Sequence, residues 1–420
     1  MKKRYGKIAN RLLPTANLFF ANCKLINGIK TLNMRFYRSV ILIFILFILV
    51  TKSFAQNSNY SFKGYLSNMQ TVMYEEIDEN WLSDQLIHNR LNFKWYISDN
   101  ATATVEMRNR FIYGDFMKTI PGYNTMVKQD QGWMNLSVNI MEENSFVLNT
   151  NIDRVYLDLY FGKLQIRTGR QRINWGRAFA WNPNDIFNAY SFFDFDYVEK
   201  PGSDAVLVQY YTGSSSMAQA AVKIDRNDNV TAAGLYRFNQ WGYDFQFLGG
   251  ILNSEDWVLG TGWAGDISGA GFRGELSYFR PKENFSDTTG TVMVSLSGDY
   301  TFKNSLNIRT EFLYNGFSQN ISDFSDYYFQ TLSVKNISFT DYSVFAQISY
   351  PFNPLLNGSF SAMLFPSMNG YYIGPDLSVS LTDNMDISVI LQHFNGEFTE
   401  GTREKMTLVF LRLKWSFAKE

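Results

Sequence analysis

From Tyr60 onward the chain repeats one pattern about eighteen times: segments of roughly ten residues in which apolar and polar side chains alternate. Near 86–97, for instance, Ile87, Leu91, Phe93, Trp95 and Ile97 alternate with His88, Arg90, Asn92, Lys94 and Tyr96, with Asn89 the exception. Successive strand residues point to opposite faces, so each segment has one oily face and one wet face. So many half-oily strands need an apolar surrounding and a way to close their edges. An antiparallel barrel in a membrane supplies both, with lipid outside and water inside. A soluble sandwich also alternates, but it needs neither this many strands nor the connections that follow.

Strands are expected near 60–73, 86–97, 101–113, 152–161, 164–171, 204–212, 216–225, 230–239, 241–252, 255–265, 269–279, 290–302, 304–315, 339–350, 356–366, 370–381, 385–396 and 405–417. Tight turns, such as 98–100, Gly162-Lys163 and 382–384, alternate with a second set that holds every long connection: 74–85, 114–151, 172–203, 280–289, 316–338 and 397–404. Short periplasmic turns and long extracellular loops are the habit of outer-membrane barrels. The fold class read from this rhythm is all-β, a transmembrane antiparallel up-and-down barrel of about eighteen strands, with sixteen as the alternative count. The last strand carries Thr407, Val409, Leu411, Leu413, Trp415 and Phe417 on one face, the form of a strand offered to the barrel assembly machinery.

The N-terminus reads as an address. Val40 to Val50 (VILIFILFILV) is an apolar run behind Arg35 and Arg38 and ahead of Ser53 and Ala55, a secretory signal too short to span a membrane comfortably. Residues 34–55 are therefore expected to be the signal peptide, residues 1–33 an upstream extension from a misassigned start, and 56–420 a single barrel domain. Residues 1–55 hold ten Lys and Arg and no Asp or Glu, so of 38 basic and 39 acidic residues 28 and 39 remain, a net charge of −11. That balance argues against nucleic acid as a partner. The one cysteine, Cys23, leaves with the leader, and the two histidines, His88 and His393, lie in different strands. Zinc-type clusters and cysteine chemistry are thereby excluded, no cofactor or metal is implied, and no nucleophile sits in a recognisable motif.

Gly169 to Gly202 (GRQRINWGRAFAWNPNDIFNAYSFFDFDYVEKPG) joins two strands and is far too long for a turn. Loops of this length are usually functional. Dense aromatic content with balanced charge suits a segment folded against something, here the mouth of the barrel. The expected constriction and selectivity residues are Arg170, Arg172, Arg177, Asp185, Asp194, Asp196 and Glu199. Inward strand positions near the closure seam give a basic lumen wall of Arg90, Lys94, Arg108, Arg110, Arg154, Arg167, Arg412 and Lys414, opposed there by Glu106 and Asp158. Basic wall against loop carboxylates would set a transverse field across the pore. The run Phe192, Phe193, Phe195 and Tyr197 reads as loop packing ahead of a sugar-stacking slide.

With Gly169-Arg170-Gln171 at a strand end followed by Trp175-Gly176, the chain resembles Gram-negative outer-membrane porins and, more narrowly, alginate-export-like barrels. The local match covers about forty residues and the barrel-level resemblance the whole mature chain. What it implies is an eighteen-strand-type channel in the outer membrane, not a particular solute. The expected function is a non-enzymatic, porin-like channel for passive or selective passage of small hydrophilic solutes, anionic ones included, through a loop-constricted lumen. Its partners would be outer-membrane lipid, the assembly machinery and the solute, with association into a homo-oligomer left open. A non-conducting barrel that is structural or binds a surface polymer is the alternative, and a barrel hydrolase a third.

Overall fold

The structure, a computed structural model, describes residues 59–78, 81–283, 285–317, 332–338, 340–399 and 402–419. The expected leader, 1–33 with the signal 34–55, lies outside the described residues. Residues 59–420 form one compact unit. Its strands are β1 (Tyr60–Tyr74), β2 (Leu82–Ser98), β3 (Ala101–Gly114), β4 (Ser137–Glu143), β5 (Phe146–Phe161), β6 (Leu164–Gln171), β7 (Ser203–Tyr211), β8 (Met217–Ile224), β9 (Val230–Gln240), β10 (Tyr243–Leu252), β11 (Asp256–Ile267), β12 (Ala270–Pro281), β13 (Thr291–Thr301), β14 (Asn307–Asn315), β15 (Tyr342–Asn353), β16 (Leu356–Phe365), β17 (Gly370–Thr382), β18 (Met385–Thr399) and β19 (Thr402–Lys419).

Each strand pairs antiparallel with its chain neighbour, β4 apart, and β19 returns to β1 to close an eighteen-stranded barrel. Closure leaves no edge among the eighteen. The expected final strand is longer than its alternation suggested: Ala418 and Lys419, beyond the aromatic terminus, still pair with Lys63 and Phe62. The tight turns expected from the sequence fall at one end, but the other end has short connections too: β10 and β11 are joined through 253–255, and the expected long connection 397–404 is corrected, since β18 and β19 pair as far as Thr399 with Thr402. Trp241-Gly242 (φ 53° and 79°) and Ser268-Gly269 (φ 54° and 89°) are left-handed at both residues, as two-residue hairpins require.

β4 is the element the alternation did not foretell. β6 stops at Gln171, where the chain turns inward, so the extracellular part of β5 loses its neighbour beyond Val155. β4 takes that edge instead, pairing Ser137 with Asn151 through Glu143 with Phe146. The backbone groups that β6 abandons are thus satisfied by the preceding loop. Two short helices, α1 (Asp115–Thr119) and α2 (Tyr123–Lys128), lead into it, and Val127 packs on lumen-side Ile112 and Val147.

The outside is the oily face throughout. Phe93, Trp95, Val105, Phe247, Leu259, Leu296, Val344, Leu364, Leu411 and Leu413 are all exposed there, as lipid-facing positions should be. The inside is not uniformly polar. Its extracellular half carries Leu252, Val258, Phe279, Met293, Leu313, Phe345, Met363, Tyr372, Phe394 and Leu408, all buried in one apolar cluster with residues of the 172–202 loop. Its periplasmic half is polar, with Arg237, Asp244, Arg273, Asp299, Arg309, Asp386, Arg412 and Lys414 at inward positions. An inward loop explains the division: where it fills the lumen the wall is apolar, and where water remains the wall is charged.

Candidate functional site

Residues 172–202 fold into the lumen, as their composition predicts, and the means is two wall carboxylates. Glu275 on β12 accepts the backbone N–H groups of Arg177, of Ala178 (2.9 Å) and of Asn184 (2.8 Å). Glu311 on β14 accepts those of Phe179 (2.8 Å), Ala180 (2.9 Å) and Trp181 (2.8 Å), with the Ser295 hydroxyl donating at 3.0 Å. Both carboxylates are buried, at 0% and 2% exposure. A turn that makes no internal ladder needs acceptors for its N–H groups, and inside a barrel only the wall can provide them. Around this seat Trp175, Trp181, Ile186, Phe187 and Phe193 are buried. Each large apolar side chain so buried contributes about 1.5–3 kcal/mol.

The aromatic run packs edge-on against the wall. Phe192 meets Phe345 (5.0 Å between centroids), Phe193 meets Tyr372 (5.0 Å) and Phe394 (4.9 Å), and Phe195 meets Phe410 (4.7 Å). These rings are loop packing, with no continuous face free for stacking.

The basic wall and the loop carboxylates do meet, but in contact and not across a gap. Arg90 is fully buried and pairs with Glu106 (2.6 Å), Asp153 and Glu199 (3.3 Å). Arg154 donates to the carbonyls of Glu199 (2.8 Å) and Lys200 (2.7 Å). Arg108 lies 3.9 Å over the Tyr197 ring, and Lys414 4.2 Å from that of Tyr65. Asp196 lies 3.1 Å from His88 Nδ1 and 4.0 Å from Arg412. The expected transverse field is therefore corrected: it gives way to direct contacts, ion pairs to β2 and β19, a ring contact to β3 and carbonyl hydrogen bonds to β5, that tie the loop to the wall. The physical reason is distance, since direct pairs at 3–4 Å outweigh a field spread over a water-filled pore.

The other basic residues have separate duties. Arg110 donates to the Val127 carbonyl (2.7 Å) and to Asn149 (2.9 Å), holding α2. Arg167 binds Asp158 through two nitrogens, at 3.0 and 2.6 Å. Lys94 is exposed at the periplasmic end. Arg170 is a further correction. It pairs in register with Val155 and Asp204, on the outward parity of β6, away from the lumen. There it binds Asp204 (2.7 Å) and Asp130 (2.6 Å) and donates to the Met134 carbonyl, clamping the 130–136 segment over the short β6–β7 pair.

Of the remaining constriction candidates, Arg172 stacks 5.2 Å from the Tyr190 ring and Arg177 donates to Gln246 (3.1 Å). Asp185 is buried, accepts the Trp175 N–H at 3.3 Å and lies 3.9 Å from Arg172. Burial pushes its carboxyl up to about 7, against the pull of Arg172 and the Trp175 N–H. Burial also raises Asp194, whereas for Asp196 the burial penalty is outweighed by the His88 hydrogen bond and by Arg108 and Arg412, which hold it below the usual carboxylate range.

Sequence reasoning missed Glu275, Glu311 and Asp153. The first two stand as lone carboxylates on inward faces that otherwise carry Ser, Asn, Arg and apolar residues, a signal that could have been read. Asp153 could not, because strict alternation points it outward. A bulge in β5 opposite Glu106 and Met107 leaves it unpaired in the register, and it reaches Arg90.

A closed eighteen-stranded barrel with an oily belt and one long loop seated in its lumen defines the class of outer-membrane-type β-barrels. No family model matches the chain, and no curated protein matches it by sequence. Among solved structures it is similar to OccAB3 of Acinetobacter baumannii, with a TM-score of 0.56 at 8% identity over 86% of this chain and 100% of that one. It is also similar to the outer membrane protein OpdK of Pseudomonas aeruginosa (TM-score 0.56, 9% identity, 86% and 99% covered) and to OccK5 of the same organism (0.56, 9%, 86% and 98%). At this identity the likeness is one of fold.

Proposed function

We propose that this chain is an outer-membrane channel for small hydrophilic solutes, narrowed by residues 172–202. One observation carries the reading: the loop crosses the lumen on Glu275 and Glu311, where it must set the bore. The oily exterior, the closure of β19 on β1 and the gathering of the long connections at one end support residence in the outer membrane. Because Arg90 and Arg167 are paired with carboxylates and Asp196 lies 4.0 Å from Arg412, ion preference should be weak compared with that of a bare basic wall. The test is single-channel conductance of the mature protein in a planar bilayer under a salt gradient. Ohmic steps that grow when residues 178–196 are deleted from a folded barrel support the channel. A folded barrel silent both with and without the loop overturns it.

A further inference from the structure

Beneath the base of the loop, on the periplasmic side, lies a cavity of ≈ 140 Å³ between β6, β7 and β8. Gln165, Arg167, Arg172, Asn174, Gln209 and Gln219 give it a polar lining. Three glutamines stand directly opposite one another across adjacent strands, Gln165 with Gln209 and Gln209 with Gln219. Their amides form a directional chain. The Trp175 indole N–H donates to Gln219 (2.7 Å), Gln219 donates to Gln209, Gln209 to Gln165 (3.5 Å) and Gln165 to Asp158 (2.7 Å).

We propose that this cavity is a binding subsite for a neutral polyhydroxylated solute of monosaccharide size. The inference deepens the channel reading and rests on it for its biological sense, though not for its test. An amide has two N–H donors and two acceptor lone pairs. Within the chain, Gln209 and Gln219 each spend one donor and one acceptor, so each keeps one of both. Asn174, exposed at the cavity, makes no side-chain hydrogen bond among the described residues. Donors and acceptors in alternation suit hydroxyl groups, which are themselves both. An oxyanion needs donors alone, and the charges here do not favour one. Arg167 is already neutralised by Asp158 through two nitrogens. Arg172 has Asp185 at 3.9 Å and donates to the Glu199 carbonyl at 3.4 Å. By the measure in which one water needs about 10–15 Å³, the cavity holds on the order of ten waters, room for a hexose that displaces them.

The experiment uses the folded mature barrel in detergent and reads binding by titration calorimetry, so that it decides the matter whether or not the barrel conducts. The probes are D-glucose, D-galactose and D-mannose, with D-glucuronate as the charged counterpart of the same ring. Saturable binding of at least one hexose is expected, tighter than that of glucuronate. Gln209→Leu should weaken it at least tenfold, and so should Asn174→Ala, an exposed loop change that leaves the barrel wall intact. Folding of each variant is checked by its shift on unheated gels. Tighter binding of glucuronate would overturn the proposal and make Arg172 the centre of an anion site. No binding of any hexose, or hexose binding unchanged in both variants, would also overturn it. A silent bilayer with hexose binding intact would sink the channel reading alone.

Discussion

Replacing Glu311 by alanine should unseat the tip of the inward loop while leaving the barrel closed. The substitution removes both oxygens that accept the N–H groups of Phe179, Ala180 and Trp181. A buried donor left without an acceptor costs about 1–3 kcal/mol. Ser295 can rotate its hydroxyl elsewhere, and water entering the space left by the side chain will rescue part of the loss. Three orphaned N–H groups still leave about 3 kcal/mol against the seated loop, roughly a hundredfold in its docking equilibrium. The barrel itself should persist, because the cross-strand pairs of β14 with β13 and β15 are backbone bonds. Trypsin digestion of the folded protein reads the effect at Arg172 and Arg177, since the third basic residue of the loop, Lys200, is followed by Pro201 and is not cut. When opening is fast relative to cleavage, the rate follows the population of the open loop. Cleavage should rise by one to two orders of magnitude in Glu311→Ala, and hardly at all in Ser295→Ala, which keeps all three backbone bonds. A cleavage rate within threefold of the parent protein, in a variant that still migrates as a folded barrel, would refute the seat assigned to Glu311.

Three further outcomes follow from the same geometry. Asp185, whose carboxyl burial raises to about 7, favours the docked loop when neutral. Its contribution is complete below the ordinary carboxylate value and is lost as pH rises through about 7, so tryptic release should increase over that window and flatten in Asp185→Asn. Arg170→Gln strands Asp204 and Asp130 in a buried site and should cost about 3–5 kcal/mol, read as a lower heat-modification midpoint, with the reversal potential unmoved because the residue faces away from the lumen. Gly169 has φ +116°, and an added Cβ would overlap the Val155 carbonyl, so Gly169→Ala should lower refolding yield through a strain of about 1–3 kcal/mol or more.

Much of the barrel was legible because a membrane wall imposes a period of two on every strand, and that period is local. β6 is found at Leu164–Gln171, as its alternation places it, and the tight turns fall where Gly162-Lys163 and 382–384 mark them. Alternation fails where the register slips. The bulge that turns Asp153 inward lies in β5 and answers to the pairing with β3, which no stretch of β5 alone encodes. β4 fails differently. Ser137 to Ile140 alternate too briefly to announce a strand, and β4 exists because β6 leaves an edge open.

For the site, composition showed that residues 172–202 must fold against something, since so many aromatic side chains would not stay in water. Strand parity and loop charge also picked out Arg90, Arg154 and Glu199, which the fold brings together, and Asp196 and Arg412, which lie 4.0 Å apart. Charge counting could not say whether those groups would face one another across water or touch. That depends on how deep the loop descends, which Glu275 and Glu311 fix from strands about a hundred residues further along the chain. The sequence by itself determined that the chain is a barrel with an oily outside and an inward loop, because both follow from transfer of local side chains between water and lipid. Only the tertiary structure decided the zoning of the lumen, the pairing of Arg90 and Arg167 with carboxylates and the amide row beneath the loop. Each of these is a meeting of residues that only barrel closure brings within bonding distance.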